Sequence, residues 1–496
     1  MNMKKTKSFA LAITAALTIF TSCTKDFQDV NTDPNGVRNA LPESLLTPAL
    51  YDVVSRNNNR ALRLTNELMQ DHVTINNGDE IHRYIIRASE SDYMWNNWYV
   101  QLTNFRDMYT RSVQLNQTSL AGIALVCDVW VSSLITDTYG DVPYTDSNKG
   151  KDKLLQPKFD KQQDIYASLF AKLEQANTLL TANQILTEDQ INLDALYGIN
   201  IPANPTPGVR SASTVTLWRK FCNSLYLRLL MRASGRPEAN AIAKIQEIVN
   251  TPAKYPVFAS NAESAILKYT TVAPYVSPFN TYRDFDFNGD NGLSEFFLNN
   301  LNNWNDPRRA KWATQVSGTY LGIPSGYATG QVPERQSAYS TTLKNEPLLG
   351  NIINYPELQF LLSEAALKGY ITGDPKTYYD NGVNNAITLW GFAVPADYFN
   401  NPTLAWNPAG TADAKMEQIQ VQKYYTLFFT DFQQWFEYRR TGHPLLPKGP
   451  GLANGGNMPS RLVYPTYVQS FNAANYTTAV AIQGADNMNT KVWWNK

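Results

Sequence analysis

The sequence predicts an all-α dominated fold, an array of stacked helix hairpins interrupted by loop-rich inserts with a few short strands. Three observations predict it. Apolar residues recur at three- and four-residue spacings in block after block. Helix start and stop signals bracket those blocks, and stretches rich in Asn, Pro, Gly and Tyr separate them. Composition narrows the class further. The 496 residues carry 43 Lys plus Arg against 43 Asp plus Glu, and only 17% are charged, below the roughly 25% of an average domain. A neutral chain so sparsely ionised lacks the clustered cations that nucleic acid requires, so nucleic acid is excluded as a partner. A hydrophobic content of 43% excludes disorder.

Residues 1–22 read as a signal peptide. Lys4, Lys5 and Lys7 form a basic start, and Phe9 to Phe20 is an apolar run too short for the roughly 20 residues a membrane span needs. The run ends in Thr21-Ser22-Cys23, a lipobox-like sequence that predicts lipidation at Cys23 and stable membrane attachment through acyl chains. Residues 23–41 form a polar leader, and residues 42–496 form a single domain. Cys127 and Cys222 lie in apolar stretches and offer no disulfide framework.

Within the domain, Trp95, Trp98 and Tyr99 share helical spacing with Leu102 and Phe105, which predicts a core-facing helix. Leu120 to Ile135 is apolar on nearly every face, as expected of a helix buried between others. Ile165, Leu169, Leu173, Ala176 and Leu180 mark the next helix, with Asp160 and Gln163 in a capping-box arrangement before it. Leu217, Phe221, Leu225 and Leu229 mark another, with Arg219, Arg228 and Arg232 interspersed. Asn354 with Pro356 opens a helix through Leu367, and Asp374 with Pro375 opens one through Leu389. Met416 to Phe436 reads as one long helix stopped by Gly442 and Pro444. Residues 183–210 and 251–355 interrupt the array, and the second insert is too long to lack short helices and strand pairs of its own. The tail after Gly442 reads as irregular structure.

Several strings carry a family resemblance. TDTYGDVPYTD (Thr136 to Asp146), NDPRRAKWA (Asn305 to Ala313), YPELQFLLSEAALKGY (Tyr355 to Tyr370), WFEYRRTGHPLL (Trp435 to Leu446) and RLVYPTYVQSFNAANY (Arg461 to Tyr476) occur in the order seen in SusD/RagB lipoproteins. NTDPN near the start and the closing KVWWNK resemble the SusD-like subfamily. The resemblance implies tetratricopeptide-like helix pairs. It also implies a non-enzymatic role at the outer membrane: a lipid-anchored lid, facing the cell exterior, that catches an oligosaccharide or peptide and delivers it to a SusC-like TonB-dependent β-barrel transporter.

The chemistry legible in the residues agrees with a binding role. His72, His82 and His443 are the only histidines, with no zinc spacing, nucleophile elbow, phosphate loop or dinucleotide fingerprint. A helical glycoside hydrolase remains an alternative, because two carboxylates need no local motif. A protein-binding helical scaffold is a third reading. No organic cofactor is implied; calcium is the one candidate ion. Asp284, Asp286, Asn288, Asp290 and Glu295 fit the spacing of a calcium loop, although no helix signal precedes them. A receptor for sugars needs aromatic platforms beside hydrogen-bonding amides. Trp304, Tyr282, Tyr320, Tyr327 and Asn288, all in the 251–355 insert, are the candidate ligand-binding residues, with Trp304 first because of its Asn-rich setting.

Overall fold

The computed structural model describes residues 40–78 and 80–496, so Cys23 and the signal and leader segments lie outside the described residues apart from Ala40 and Leu41. Pro42–Lys496 is one compact unit. Its helices pair in chain order. α1 (Pro42–Arg60) packs on α2 (Asp92–Gln114), α2 on α3 (Thr118–Tyr139), α3 on α4 (Gln162–Thr181) and α4 on α5 (Val209–Ala233). α6 (Ala241–Asn250) folds back on α5, and α8 (Tyr355–Leu367) pairs with α9 (Pro375–Leu389) and with α10 (Ala412–Thr426). Between them the insert holds α7 (Glu295–Asn303). α11 (Gln433–Thr441), α12 (Thr466–Phe471) and α13 (Ala473–Gln483) complete the array.

Local sequence explains many of these boundaries. The Asn354 side chain accepts from Glu357 N at 2.9 Å and Asp374 accepts from Lys376 and Thr377, each satisfying backbone donors that a helix start leaves open. Three expectations fail. The Asp160 carboxylate does not cap α4; it accepts from Tyr144 N and Thr145 N in the preceding turn, and α4 begins at Gln162 without a side-chain cap. The long helix from Met416 to Phe436 is two helices, because the backbone reverses through Phe429 (φ 56°) and Asp431 (φ 39°). Asp431 stabilises that reversal by accepting from Phe432 N and from Gln433 Nε2 at 2.9 Å. The aromatic spacing continues across the break, which is why periodicity alone joins the two pieces. The tail is also more regular than the sequence suggests, since α12 and α13 lie in it.

The strands are short and tie the insert to the array. β1 (His72–Thr74) pairs antiparallel with β3 (Asn291–Leu293), His72 opposite Leu293, and β2 (Ala265–Ile266) pairs with β4 (Asn351–Ile353). α3 is long and apolar enough to cross a membrane, yet 94% of that stretch is buried by the surrounding protein. It is the central helix of the array. Cys127 on α3 and Cys222 on α5 are buried free thiols.

The core holds an ionic network. Arg228 grips Glu357 with two hydrogen bonds, at 2.7 and 2.6 Å, and donates to the Ile352 carbonyl. Arg232 bonds Asp137 at 2.6 Å and Glu437 at 3.2 Å. Lys423 reaches Glu437 at 2.6 Å, and Arg440 bridges Glu437 and Glu364. Asp137 also accepts from Tyr166 and from the Trp494 indole. The backbone reversal before α11 makes this network feasible: in one continuous helix, Lys423 and Glu437 would stand roughly 21 Å apart. Gly140 ends α3 with φ 84°, a conformation that favours glycine, and the Gln483 side chain of α13 packs against this turn.

Removing one partner from a buried pair costs about 3–5 kcal/mol, since it strands the other charge. Glu364→Gln is therefore expected to lower stability by about that amount in chemical denaturation at pH 7. Burial pushes the Glu364 carboxyl up, but Arg440, reinforced by Lys368, more than offsets this and holds it at about 2. Because the folded value lies below the unfolded one, this stabilisation is complete above pH 4.5 and is lost as pH falls toward 2. The variant should show a flatter acid-unfolding profile across that window. Asp71 has the opposite sign. Burial lifts its carboxyl to about 8 against hydrogen bonds from Tyr424 and Gln434, so stability falls as pH rises from 3.8 toward 8. Asp71→Asn should raise the melting temperature at pH 8 and leave it nearly unchanged at pH 3.5.

Candidate functional site

The insert does not present its candidate residues as one site. Trp304 is 5% exposed; its indole donates to Thr403 Oγ1 at 3.0 Å and its ring meets Tyr425 edge-on at 5.4 Å. Its Asn-rich setting is a helix end, with Trp304 turned into the core. Tyr327 is buried, its hydroxyl donating to the Thr74 and Asn76 carbonyls and its ring lying 4.4 Å from His82. Asn288 is buried and spends its amide on the Tyr339 carbonyl at 2.6 Å. Tyr282 and Tyr320 are half-buried: the Tyr282 hydroxyl donates to Asn59, and the Arg309 guanidinium covers the Tyr320 ring at 5.3 Å.

The carboxylates of the calcium spacing are not gathered around one point. Residues 285–289 coil into a wide helical turn, and the carboxylates diverge to separate cations. Asp284 pairs with Lys344 at 2.9 Å, Asp286 with Arg283 at 2.7 Å and Asp290 with Arg63 at 3.3 Å. Glu295 stands at the first turn of α7, where the helix dipole favours an acid. Among the described residues no three His, Cys, Asp or Glu side chains form a metal-ligand group. The histidines are held structurally. Burial drives His72 down to about 3 and His82 to about 4, while His443 is raised by its hydrogen bond to Glu417 against the effect of burial.

The better-formed concavity lies at the other end of the sequence, between α2 and α12. A cleft of about 490 Å³ is lined by Trp95, Asn96, Tyr99, Val100 and Thr103 of α2, Leu155 and Pro157 of the loop before α4, and Tyr467, Val468, Phe471 and Asn472 of the tail. This size is in the range of ordinary ligand clefts. Trp95 forms the floor, wedged against Tyr139 and Tyr464 at 5.0 and 6.0 Å. Tyr99 is pinned by its hydroxyl to the Pro143 carbonyl at 2.7 Å. The opposite wall is stitched to the array by Tyr467, which donates to Asn96 Oδ1 at 2.5 Å, and by Gln156, which donates to the Phe471 carbonyl. Phe471 is 75% exposed and Leu155 79% exposed, so two large apolar groups stand at the rim with little to pack against.

A second hollow of about 640 Å³ adjoins the first, sharing Thr103, Ser147 and Asn148. It is more polar. Its carboxylates are engaged: Asp107 with Lys151, and buried Asp128 with Lys172 and Arg106. The groove thus offers aromatic faces and amides, and the carboxylates of the adjoining hollow are ion-paired. Sequence periodicity assigns Trp95 and Tyr99 to the core; it is right for Trp98, which is fully buried, and incomplete for the other two, whose rings border the groove. Tyr467 and Phe471 were legible in one respect: aromatics at four-residue spacing interleaved with Asn and Gln, in YVQSFNAANY.

Residues 34–465 match a family described as starch-binding and associating with the outer membrane. The chain belongs to the SusD-like family. Solved structures agree with the fold. A SusD homolog from Bacteroides uniformis is 22% identical with a TM-score of 0.77, covering 92% of this chain and 100% of its own. A chitin-binding protein is 25% identical, with a TM-score of 0.74 and the same coverage. A chitin-binding SusD homolog from Flavobacterium johnsoniae is 21% identical, with a TM-score of 0.74, covering 92% of this chain and 97% of its own. A search among curated proteins finds no match. SusD-like proteins are helix-rich binding proteins, and this one is a nutrient-binding protein associated with the outer membrane.

Phe471 carries little of the fold, so its substitution separates binding from stability. Phe471→Ala combined with Tyr467→Ala should weaken oligosaccharide binding by about tenfold, or ~1.4 kcal/mol, in calorimetry. Phe471→Ala alone should shift the melting temperature by less than about 1 °C, the signature of an exposed residue.

Proposed function

We propose that this SusD-like protein is a surface lipoprotein, anchored through Cys23, that captures an oligosaccharide in the α2–α12 groove. On this reading it acts as a lid for a SusC-like TonB-dependent β-barrel and delivers the ligand to it. The single observation that carries the ligand class is the groove lining: Trp95, Tyr99, Tyr467 and Phe471 supply flat apolar faces, with Asn96 at the edge. Sugar rings have apolar faces and a hydroxyl rim, and this pairing of surfaces suits them. The neutral charge of the chain supports an uncharged ligand at this groove. That two similar structures carry chitin-binding titles makes a neutral amino sugar polymer a sensible first probe.

Two measurements test the reading. Purified protein incubated with chitin or starch oligosaccharides is expected to bind without releasing new reducing ends. Turnover would instead favour a glycoside hydrolase, and binding of peptides alone would move the ligand class. From detergent-solubilised outer membrane the protein should co-purify with a large β-barrel; recovery as a lone soluble species would sink both the anchor and the lid.

A further inference from the structure

A different cavity, of about 420 Å³, opens at the end of α11, and its chemistry is unlike that of the groove. Three cations line it, Arg439, Lys448 and Lys491, together with Ser460 and Asn495. Among the described residues no carboxylate does. In a chain with equal numbers of acids and bases, that imbalance is local.

Arg439 is the deepest of the three. It is 7% exposed, sandwiched between Trp435 at 3.9 Å and Trp494 at 4.8 Å. Its terminal nitrogens donate to two backbone carbonyls, Ser460 at 2.5 Å and Asp137 at 2.7 Å, while its buried Nε has no hydrogen-bond partner. The Asp137 carboxylate is occupied by Arg232. Arg439 therefore carries a buried positive charge whose hydrogen bonds go to neutral carbonyls and whose offsetting carboxylate, Asp137, is shared with Arg232, a deficit that an anion in the cavity would reduce. Burial lowers its guanidinium to about 9 despite Asp137, consistent with that deficit. Lys448 stands over the Gly456 turn: its Nζ is 3.8 Å from where a Cβ on Gly456 would sit, and Gly456 has φ 70°. Lys448 and Lys491 form no ion pair among the described residues.

We propose that this cavity is an anion subsite that binds the carboxylate of an acidic sugar, with Lys448 and Lys491 closing over the charge and Ser460 and Asn495 meeting the ring hydroxyls. The cations and the missing acids carry the anion; the sugar rests on the glycan reading of the groove. A carboxylate in a partly desolvated pocket gains charge-assisted hydrogen bonds that a neutral ring lacks.

The test uses the full-length protein in detergent. It is titrated with a galacturonate trisaccharide, with the neutral galactose trisaccharide of the same linkage, and with sodium sulfate. The acidic trisaccharide is expected to bind at least tenfold more tightly than the neutral one, and Lys448→Gln with Lys491→Gln should abolish the difference. Both lysines are exposed, so the double variant keeps the fold. Equal affinity for the two trisaccharides, or a preference that survives the double variant, would overturn the proposal. Sulfate binding as tightly as the acidic trisaccharide, with the same dependence on the lysines, would overturn its sugar component. Phe471→Ala is expected to weaken the neutral ligand while leaving the acidic preference intact, so failure of the groove and failure of this cavity read out separately.

Discussion

The whole array depends on a buried ionic network whose members come from five helices. Asp137 ends α3, Arg228 and Arg232 lie on α5, Glu357 and Glu364 on α8, Lys423 on α10, and Glu437, Arg439 and Arg440 on α11. A purely apolar seam would let helices slide, since one hydrophobic surface packs nearly as well as another. Buried charges do not: displaced from its partner, each incurs a desolvation cost of several kcal/mol. The network therefore acts on register more than on net stability. It also explains why the strings that resemble the family look as they do. The Asp in TDTYGDV, the two Glu in YPELQFLLSEAAL, the Glu-Tyr-Arg-Arg of WFEYRR and the last Trp of KVWWNK meet in space although they are scattered along the chain.

Helix positions were readable from the residues because apolar spacing and capping chemistry are local. Asn354 and Asp374 cap as the sequence suggests, and α3 is buried on nearly every side. What escaped were features decided at long range. No local signal separates a helix that continues through Phe428 from one that reverses at Phe429 and Asp431, because the gain comes from bringing Glu437 to Lys423. Asp160 has cap-like spacing but is drawn to the Tyr144 and Thr145 amides.

The site was harder still. Trp304, Tyr327 and Asn288 look like ligand contacts when polar neighbours in sequence are taken as neighbours in space. Each is turned inward and held by tertiary hydrogen bonds, Trp304 to Thr403, Tyr327 to Thr74 and Asn76, and Asn288 to Tyr339. Conversely, α12 brings Tyr467 and Phe471 across to Trp95 and Tyr99, residues more than 350 positions away, and that juxtaposition has no trace in either segment alone. The acidic loop shows a similar effect: Lys344 and Arg63 arrive from elsewhere and, with Arg283 of the loop itself, divide its carboxylates among them.

The Asp137 junction has a consequence for how the chain acquires its structure. Its partners lie far along the sequence: the Trp494 indole is 357 residues away and the Arg439 guanidinium 302. Contacts of such separation form late, after much of the loop-closure entropy has been lost. Until they form, Asp137, Arg232 and Glu437 keep their hydration shells, and burying any one of them early is penalised. The charges at the centre of the finished array thus favour an open, solvated chain until its last helices are present, and the hairpins can lock only as a set.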